Sequence, residues 1–592
     1  MKTLRVEILA LFAALLVSAQ AAERWAVIDH FQPNFDGLYT ISGDVRPQGA
    51  NAWYEPEIDM LSHDNWYVRE NYLASRYRIP FRPINPNLVF KTPPVGWMTW
   101  YAVKFRASDE VVMHNARRFM EVFRGYTDEK PVLWVDWEWF HGRFSENGDE
   151  TDTDMLTPRK EAYPRGMKPV ADDLKQLGFT PALWVSVLND TRTNALWKAH
   201  PEWVLGDRKA WCGPIYANPS APGFCEEFVP HIFSLYKEWG YEAFKWDVVP
   251  ASYFMIADRG ARGAAVEPRP SAVSRRSAVR EQFRRCVKAV RQAVGENCYV
   301  MSCSGEWEEP TLAAVDLFDG GRIGGDIFTW EEFRKAGVDR ILSYQPFHNT
   351  VFWADADNLV LREEFSTLAQ ARTRVTIYAL AGVPITMGDE IDALDEPRID
   401  LLRRAMPVVK MRPASLSRGV PTGDLLPLRA DFGRAFGAWS LRGWSNMTTN
   451  RTLSAELTVE NSVVWDFWND RLVSAEAGKR RLSVEVTPGD TVLYRVAKIE
   501  KNRPTLVSVS RHITQGGYEI VRFESDAKGV RGVVRCPGRE TVKVTLLLPE
   551  GRRAVRGSCP LTQDGRIVRL AIDSAERADV AFSLELFHSH AE

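Results

Sequence analysis

The sequence lacks a strong excess of either charge: 75 Lys and Arg side chains stand against 77 Asp and Glu, leaving a formal net charge of −2 over 592 residues. Without a large single-sign field there is little electrostatic pull on nucleic acid or an anionic membrane, and a neutral, polar substrate is the easier fit. Cysteine is scarce and odd in number, at 7, no CxxC pair occurs, and the 10 histidines form no cluster at zinc-ligand spacing. A structural metal site is therefore not expected. No stretch after the N-terminus is apolar enough to span a bilayer, and there is neither an internal repeat nor a low-complexity tract.

The most apolar run is at the start. Residues 1–21 place Lys2 and Arg5 before LALFAALLV and close on the small-residue stretch SAQAA. That is the layout of a secretory signal peptide, and the run is shorter than the roughly 20 residues a spanning helix needs. The mature protein is expected to be exported, to a periplasm or outside the cell. Disulfides form in such compartments, and proximity in sequence suggests Cys212 with Cys225 and Cys536 with Cys559, leaving three cysteines over, of which Cys303 is the one that bears on the chemistry.

What is present is a large foldable chain, 45% hydrophobic with 21 Trp. From about Gly96, short apolar runs alternate with amphipathic stretches, the pattern of repeated βα units on a parallel sheet. The expected strands are VGWMTWY, VLWVDWEW, TPALWVSV, YEAFKWDVV, CYVMSCSGEW, LFDGGRIGGD, NTVFWADAD and VPITMGDE. Helical stretches such as KPVADDLKQLG, FVPHIFSLYKEWG and RRCVKAVRQAVG end at or near a glycine, as a C-cap would. Eight units predict an α/β fold, a (β/α)8 TIM barrel over 96–408. Residues 22–95, rich in Trp and Pro, would wrap or cap it. Beyond about 409 the texture turns to alternating strands with turn residues, predicting C-terminal all-β sandwich domains over 409–500 and 501–592. Trp465 and Trp468 fall in an apolar strand pattern and read as packing residues.

In a barrel of this kind the chemistry sits at the C-terminal ends of the strands. Polar residues ending otherwise apolar strands are Asp136 and Glu138, Lys245 and Asp247, Cys303 and Glu306, Arg322 and Asp326, Asp355 and Asp357, and Asp389 and Glu390, with Trp97 beside them. Carboxylates converging with Trp and Lys or Arg suit sugar binding, where hydroxyls need charged partners and ring faces stack on aromatics. Hydrolysis of a glycosidic bond uses two carboxyl groups, and Asp247 with Asp326 is the pair selected. Asp247 ends FKWD, two residues after Lys245 on the same side of the strand, and reads equally as a strand-end salt bridge. Asp326 follows the glycine-rich RIGG and reads equally as a helix N-cap before IFTWEEF.

These segments, in this order, resemble glycoside hydrolase family 27, the α-galactosidase-like group of clan D, with some features of family 36. GWMTWY resembles the opening GWNSW strand, YPRGMKPVADDLKQLGFTPALWV the turn, helix and third strand, FKWD the KYD or KFD strand, GRIGGDIFTW the WRxxxDI segment, FWADADNL the WNDPDML segment, and ALAGVPITMGDEI the eighth strand. HPEWVL is closer to family 36. The resemblance implies a retaining mechanism with Asp247 as nucleophile and Asp326 as acid/base, their carboxyls about 5 to 5.5 Å apart, and no metal or organic cofactor. It also implies that Lys245 and Arg322 bind ring hydroxyls, that Trp97 lines the sugar pocket, that Asp136 contacts the non-reducing sugar, and that Cys303 faces the 2-position. A homo-oligomer is an expectation of the same kind.

Two departures bear on the substrate, a terminal sugar of an oligosaccharide or glycan. The family's IDDGW reads VDWEW here, so Trp137 follows Asp136 where a second aspartate would stand. The fifth strand reads SCSGEWEEP, leaving Ser304 and Glu306 to read a hydroxyl or an acetamido group. The expected activity is exo-hydrolysis of α-linked galactose-like sugars. The alternatives are an α-N-acetylgalactosaminidase, a β-L-arabinopyranosidase or another α-hexosidase, or a barrel that binds carbohydrate without cleaving it.

Overall fold

The computed structural model describes residues 53–55, 60–62, 79, 82, 84–143, 151–187, 189–190, 198–206, 215–249, 253, 272–305, 308–344, 348–349, 351–409 and 424–588. The N-terminal 21 residues, Cys212 and Glu306 lie outside them. The chain divides into two compact units, one of residues 1–120, 129–360 and 383–393, the other of 121–128, 361–382 and 394–592.

The first unit holds the expected barrel. Its strands are β1 Val95–Met98, β2 Val132–Val135, β3 Thr180–Val185, β4 Ala243–Trp246, β5 Tyr299–Cys303, β6 Gly320–Arg322, β7 Trp353–Asp355 and β8 Ile385–Met387. One 8-stranded sheet runs β7-β6-β5-β4-β3-β2-β1-β8, with every pairing parallel. A parallel bridge between Leu359, just past β7, and Met387 of β8 brings the two ends of the order together. The strands are buried on both faces, which is why they read as continuous apolar runs rather than as alternation. On β4, Phe244 packs against Phe233 of the helix Val229–Glu238 at 5.3 Å, and Trp246 against Phe283 of the helix Ala272–Val294 at 6.0 Å. Those side chains point outward, so Lys245 points into the barrel. A two-stranded hairpin, Trp53–Glu55 with Met60–Ser62, belongs to the segment that precedes the barrel.

The second unit takes in the helices Leu368–Ala381 and Glu396–Ala405 together with three antiparallel sheets. A five-stranded sheet is built from β9 Leu425–Arg434, β10 Gly437–Asn446, β11 Leu453–Asp466, β12 Arg471–Val486 and β13 Thr491–Lys498, in the order β9-β10-β13-β11-β12. Trp465 is buried within it, at 1% exposure. Two four-stranded sheets follow. One contains β14 Thr505–Val509, β17 Val542–Leu547, β19 Leu561–Asp564 and β20 Ile567–Ile572; the other contains β15 Ile520–Asp526, β16 Gly529–Cys536, β18 Arg552–Gly557 and β21 Ala578–His588. They share one core, in which Val544 and Leu570 of the first meet Val534 and Phe582 of the second. That makes a sandwich.

Cys536 and Cys559 carry free thiols, which corrects the pairing expected of them. Cys536 pairs with Ala578 at the start of β21, whereas Gly557, just before Cys559, pairs with Leu584. The strands β16 and β18 flank β21 on opposite sides, and two spacings of about 4.8 Å already exceed the ~7 Å Cα limit of a disulfide. Cys225 is also a free thiol, and it donates to the Pro219 carbonyl at 3.5 Å.

A buried polar knot anchors the sandwich to the end of the helix Glu396–Ala405. His512, 1% exposed, donates from Nε2 to the Pro407 carbonyl at 3.0 Å and accepts at Nδ1 from the Thr514 amide at 3.2 Å. Burial, with Arg511 beside it, pushes the imidazole pKa down to about 3. The unfolded chain takes up a proton near pH 6.5 that the folded protein refuses, so stability is lost as pH falls from there toward 3, by up to about 1.4 kcal/mol per unit. His512→Gln is expected to flatten that slope in denaturant unfolding compared at pH 7 and pH 5. Equal slopes in both proteins would remove His512 from the account.

Candidate active site

The strand register lines up the candidate residues. Cys303 on β5 is level with Arg322 on β6, and Arg322 with Asp355 on β7, at the C-terminal end of the barrel. Asp136 and Asp247 each follow directly on β2 and β4.

Two buried cations organise the carboxylates. Lys245 donates to Asp136 Oδ2 at 2.9 Å, both side chains being 4% exposed. Burial works against the ammonium, but Asp136 and Asp247 outweigh it and hold Lys245 charged well above its ordinary range. Arg322, 3% exposed, reaches Asp357 Oδ1 at 2.9 Å with Nη1 and Asp326 Oδ1 at 3.1 Å with Nη2. Burial likewise opposes its charge, and the carboxylates of Asp357 and Asp326 outweigh that burial.

The two selected aspartates have different surroundings. Asp247 accepts from the indole Nε1 of Trp184 at 3.0 Å and from the Val248 amide at 2.6 Å, and its own amide donates to Val185 O at 2.8 Å. Val248 stands at φ +59°, a conformation that a β-branched residue adopts only under constraint. The Asp326 side chain is 56% exposed, at the mouth of the arrangement. Partial desolvation tends to raise its pKa, but Arg322, Lys245 and the hydrogen bonds from Tyr101 and Arg322 outweigh this and keep it below the ordinary carboxylate range. The helix N-cap after RIGGD is Thr329, whose hydroxyl accepts from Glu332 N, so the capping alternative for Asp326 is set aside. The salt bridge of Lys245 likewise goes to Asp136 rather than to Asp247.

The remaining candidates divide. The Cys303 thiol lies within electrostatic reach of Asp247, Arg322, Lys245 and Asp326, and burial keeps it protonated. Trp97 is fully buried and donates Nε1 to Asp389 O at 2.7 Å. Trp137, 5% exposed, meets Trp100 and Phe105 edge to face at 5.3 and 5.6 Å. The Ser304 hydroxyl is held in a buried triangle with Ser302 at 2.8 Å and Thr311 at 2.7 Å, away from solvent. Sequence reasoning missed Trp184 and Tyr101, although each sits in a segment singled out as a barrel strand, and it left Asp357 without a role. Among the described residues no group of three or more His, Cys, Asp or Glu is arranged to hold a metal ion.

The glycines before Asp326 are not equivalent. A Cβ on Gly324 would lie 1.9 Å from the Ala336 carbonyl, whereas one on Gly325 would meet nothing within 4 Å. Gly324→Ala is therefore expected to lower the melting temperature by at least about 3 °C, since the backbone must shift, and Gly325→Ala to leave it unchanged. Equal melting temperatures for the two variants would show that the loop is not packed as described.

No protein-family model matches the chain. It is 23% identical over 338 residues to the probable α-galactosidase B of Aspergillus clavatus, covering 54% of this chain and 67% of that protein. It is 21% identical over 337 residues to the α-galactosidase of Cyamopsis tetragonoloba, covering 57% of this chain and 66% of that protein. The chain thus spans about two thirds of these curated relatives. Among solved structures, a β-L-arabinopyranosidase from Geobacillus stearothermophilus has the same fold, with a TM-score of 0.53 at 17% identity, covering 70% of this chain and 98% of that one.

Proposed function

We propose that this chain, a member of the α-galactosidase-like glycoside hydrolase family 27, is an exported, retaining exo-glycosidase that removes terminal α-linked galactose-like sugars. Asp247 attacks the anomeric carbon as the departing oxygen takes the proton of Asp326. Asp326 then activates water to release the sugar from Asp247. The single observation that carries the reading is the pair of buried cations, Lys245 acting on Asp247 just after β4 and Arg322 acting on Asp326 in the loop after β6.

The surroundings suit the roles. A nucleophile must keep a lone pair directed at carbon, and Trp184 with the Val248 amide fixes the Asp247 carboxyl by two hydrogen bonds. An acid/base must exchange protons with substrate and water, and Asp326 is the open one of the two. In the free site Arg322 favours the ionised form of Asp326, the form required of a base. A bound glycoside displaces water and raises its proton affinity for the first step.

One observation favours a second sugar. Trp137 packs its indole against Trp100 and Phe105 where the family carries the second of two aspartates that together grip the 4- and 6-hydroxyls. An apolar ring there suits a pyranose without the hydroxymethyl group, which for a galactose-configured ring is β-L-arabinopyranose. The enclosed hydroxyl of Ser304 gives no corresponding support for an acetamido group.

The test is hydrolysis of 4-nitrophenyl α-galactoside, β-L-arabinopyranoside, α-N-acetylgalactosaminide and α-glucoside by wild type, Asp247→Ala and Asp326→Ala. Turnover of one of the first two is expected, with the Asp247→Ala rate reduced at least ~10³-fold. The first-formed anomer seen by NMR should match that of the substrate. Inversion, or full activity without Asp247, would overturn the mechanism; no turnover of any glycoside would favour a barrel that binds carbohydrate without cleaving it.

A further inference from the structure

Asp357 lies outside the proposed pair, yet its carboxylate is the most heavily engaged in the site. Oδ1 receives Arg322 Nη1 at 2.9 Å and Asn358 Nδ2 at 3.0 Å. Oδ2 receives the Ile327 amide at 2.7 Å. Ile327 is the residue immediately after Asp326, and the other guanidinium nitrogen, Arg322 Nη2, reaches Asp326 Oδ1 at 3.1 Å. One carboxylate, in a residue 1% exposed, therefore holds Asp326 by two independent routes, through the backbone that carries it and through the cation that faces it.

The backbone of Asp357 is itself constrained. It stands at φ +78°, in the region that favours glycine, and its amide donates to Asp355 Oδ1 at 2.7 Å. A non-glycine residue kept there needs surroundings that over-determine it, and such positions cluster where geometry is functional.

We propose that Asp357 is a positioning residue for proton transfer: it sets the place of Asp326 through Ile327 N and divides the charge of Arg322 so that Asp326 can still take up a proton. The proposal rests on the assignment of Asp326 as acid/base. Asp355 also lies in the field of Arg322, and Asp326 is faced by Lys245 and Tyr101 as well; with these unchanged, removing the Asp357 charge gives Asp326 a larger share of Arg322, which lowers the proton affinity of the acid just where it must be protonated.

The experiment uses substrates that differ only in their need for that proton. A 2,4-dinitrophenolate leaves without protonation and an alkoxide does not. kcat/KM, which reports the glycosylation step, is measured for 2,4-dinitrophenyl and methyl α-D-galactopyranosides, or the matching β-L-arabinopyranosides if that sugar is the one turned over. For Asp357→Asn the methyl glycoside is expected to lose at least 100-fold and the dinitrophenyl glycoside less than 10-fold, with the alkaline limb of the pH profile moving down by about one unit. Asp326→Ala should show the same leaving-group split, and Asn358→Ala, which removes one of the three partners of Asp357 without changing the charge, a smaller one. Equal losses on both substrates in Asp357→Asn, while Asp326→Ala discriminates between them, would overturn the proposal and leave the assignment of Asp326 standing. No discrimination by Asp326→Ala, or no turnover of these probes by wild type, would overturn both.

Discussion

The site depends on the burial of two positive charges. Taking Lys245 and Arg322 out of water is strongly unfavourable unless each finds compensating negative charge and fixed hydrogen bonds. Asp136 answers Lys245, and Asp357 with Asp326 answers Arg322. The dependence is mutual, since removing either cation would leave buried carboxylates with no counter-charge. What results is a water-poor end of the barrel where electrostatic interactions are stronger than in solvent, and where Asp326 alone of these charged groups opens widely outward.

The backbone bears part of the load. Among the described non-glycine residues with positive φ, Val248 and Asp357 directly adjoin the charged cluster. Val248 follows Asp247 and returns its amide to that carboxyl; Asp357 turns its carboxyl back onto Ile327 and Arg322. Strain of order 1–3 kcal/mol at such a residue persists only where the surrounding structure over-determines it. The rigid parallel sheet does this here, because the strands that end at these turns are buried on both faces and cannot yield.

Much of the barrel was legible in the sequence, because continuous apolar runs of strand length between glycine-ended amphipathic helices have few other physical solutions. All eight expected strands occur, in order. The polar residues at their ends could be named for the same reason, since a charged residue closing an apolar run needs an explanation. What could not be read was who meets whom. Lys245 was expected to serve Asp247, its neighbour in sequence, but the closed order of strands offers it Asp136 from β2. Ser304 looked available from its place in the segment, yet Ser302 and Thr311 satisfy it. Trp184 was invisible as a ligand because an indole in an apolar strand reads as core. It is core, at 0% exposure, and it also donates to Asp247.

On the proposed reading, the division of labour between the cations bears on substrate recognition. Lys245 and Asp136 neutralise each other at 2.9 Å, so what they present to a sugar is a fixed dipole rather than a net charge. Such a dipole can donate to one hydroxyl and accept from its neighbour, as an adjacent diol requires. In a neutral, polar ligand this is better matched than a free charge, which would be most strongly satisfied by an ion. Beyond Asp136 the chain places the Trp137 indole against two further rings, so the residue next to Asp136 brings an apolar ring rather than a second carboxylate. A sugar whose configuration matches the dipole but whose ring carries nothing polar beside it would lose no hydrogen bond there, whereas a hydroxymethyl group would have to give up its water to an apolar wall. On that reading, the departure just after β2 bears on discrimination between sugars, while the two carboxylates assigned to bond cleavage stand after β4 and β6.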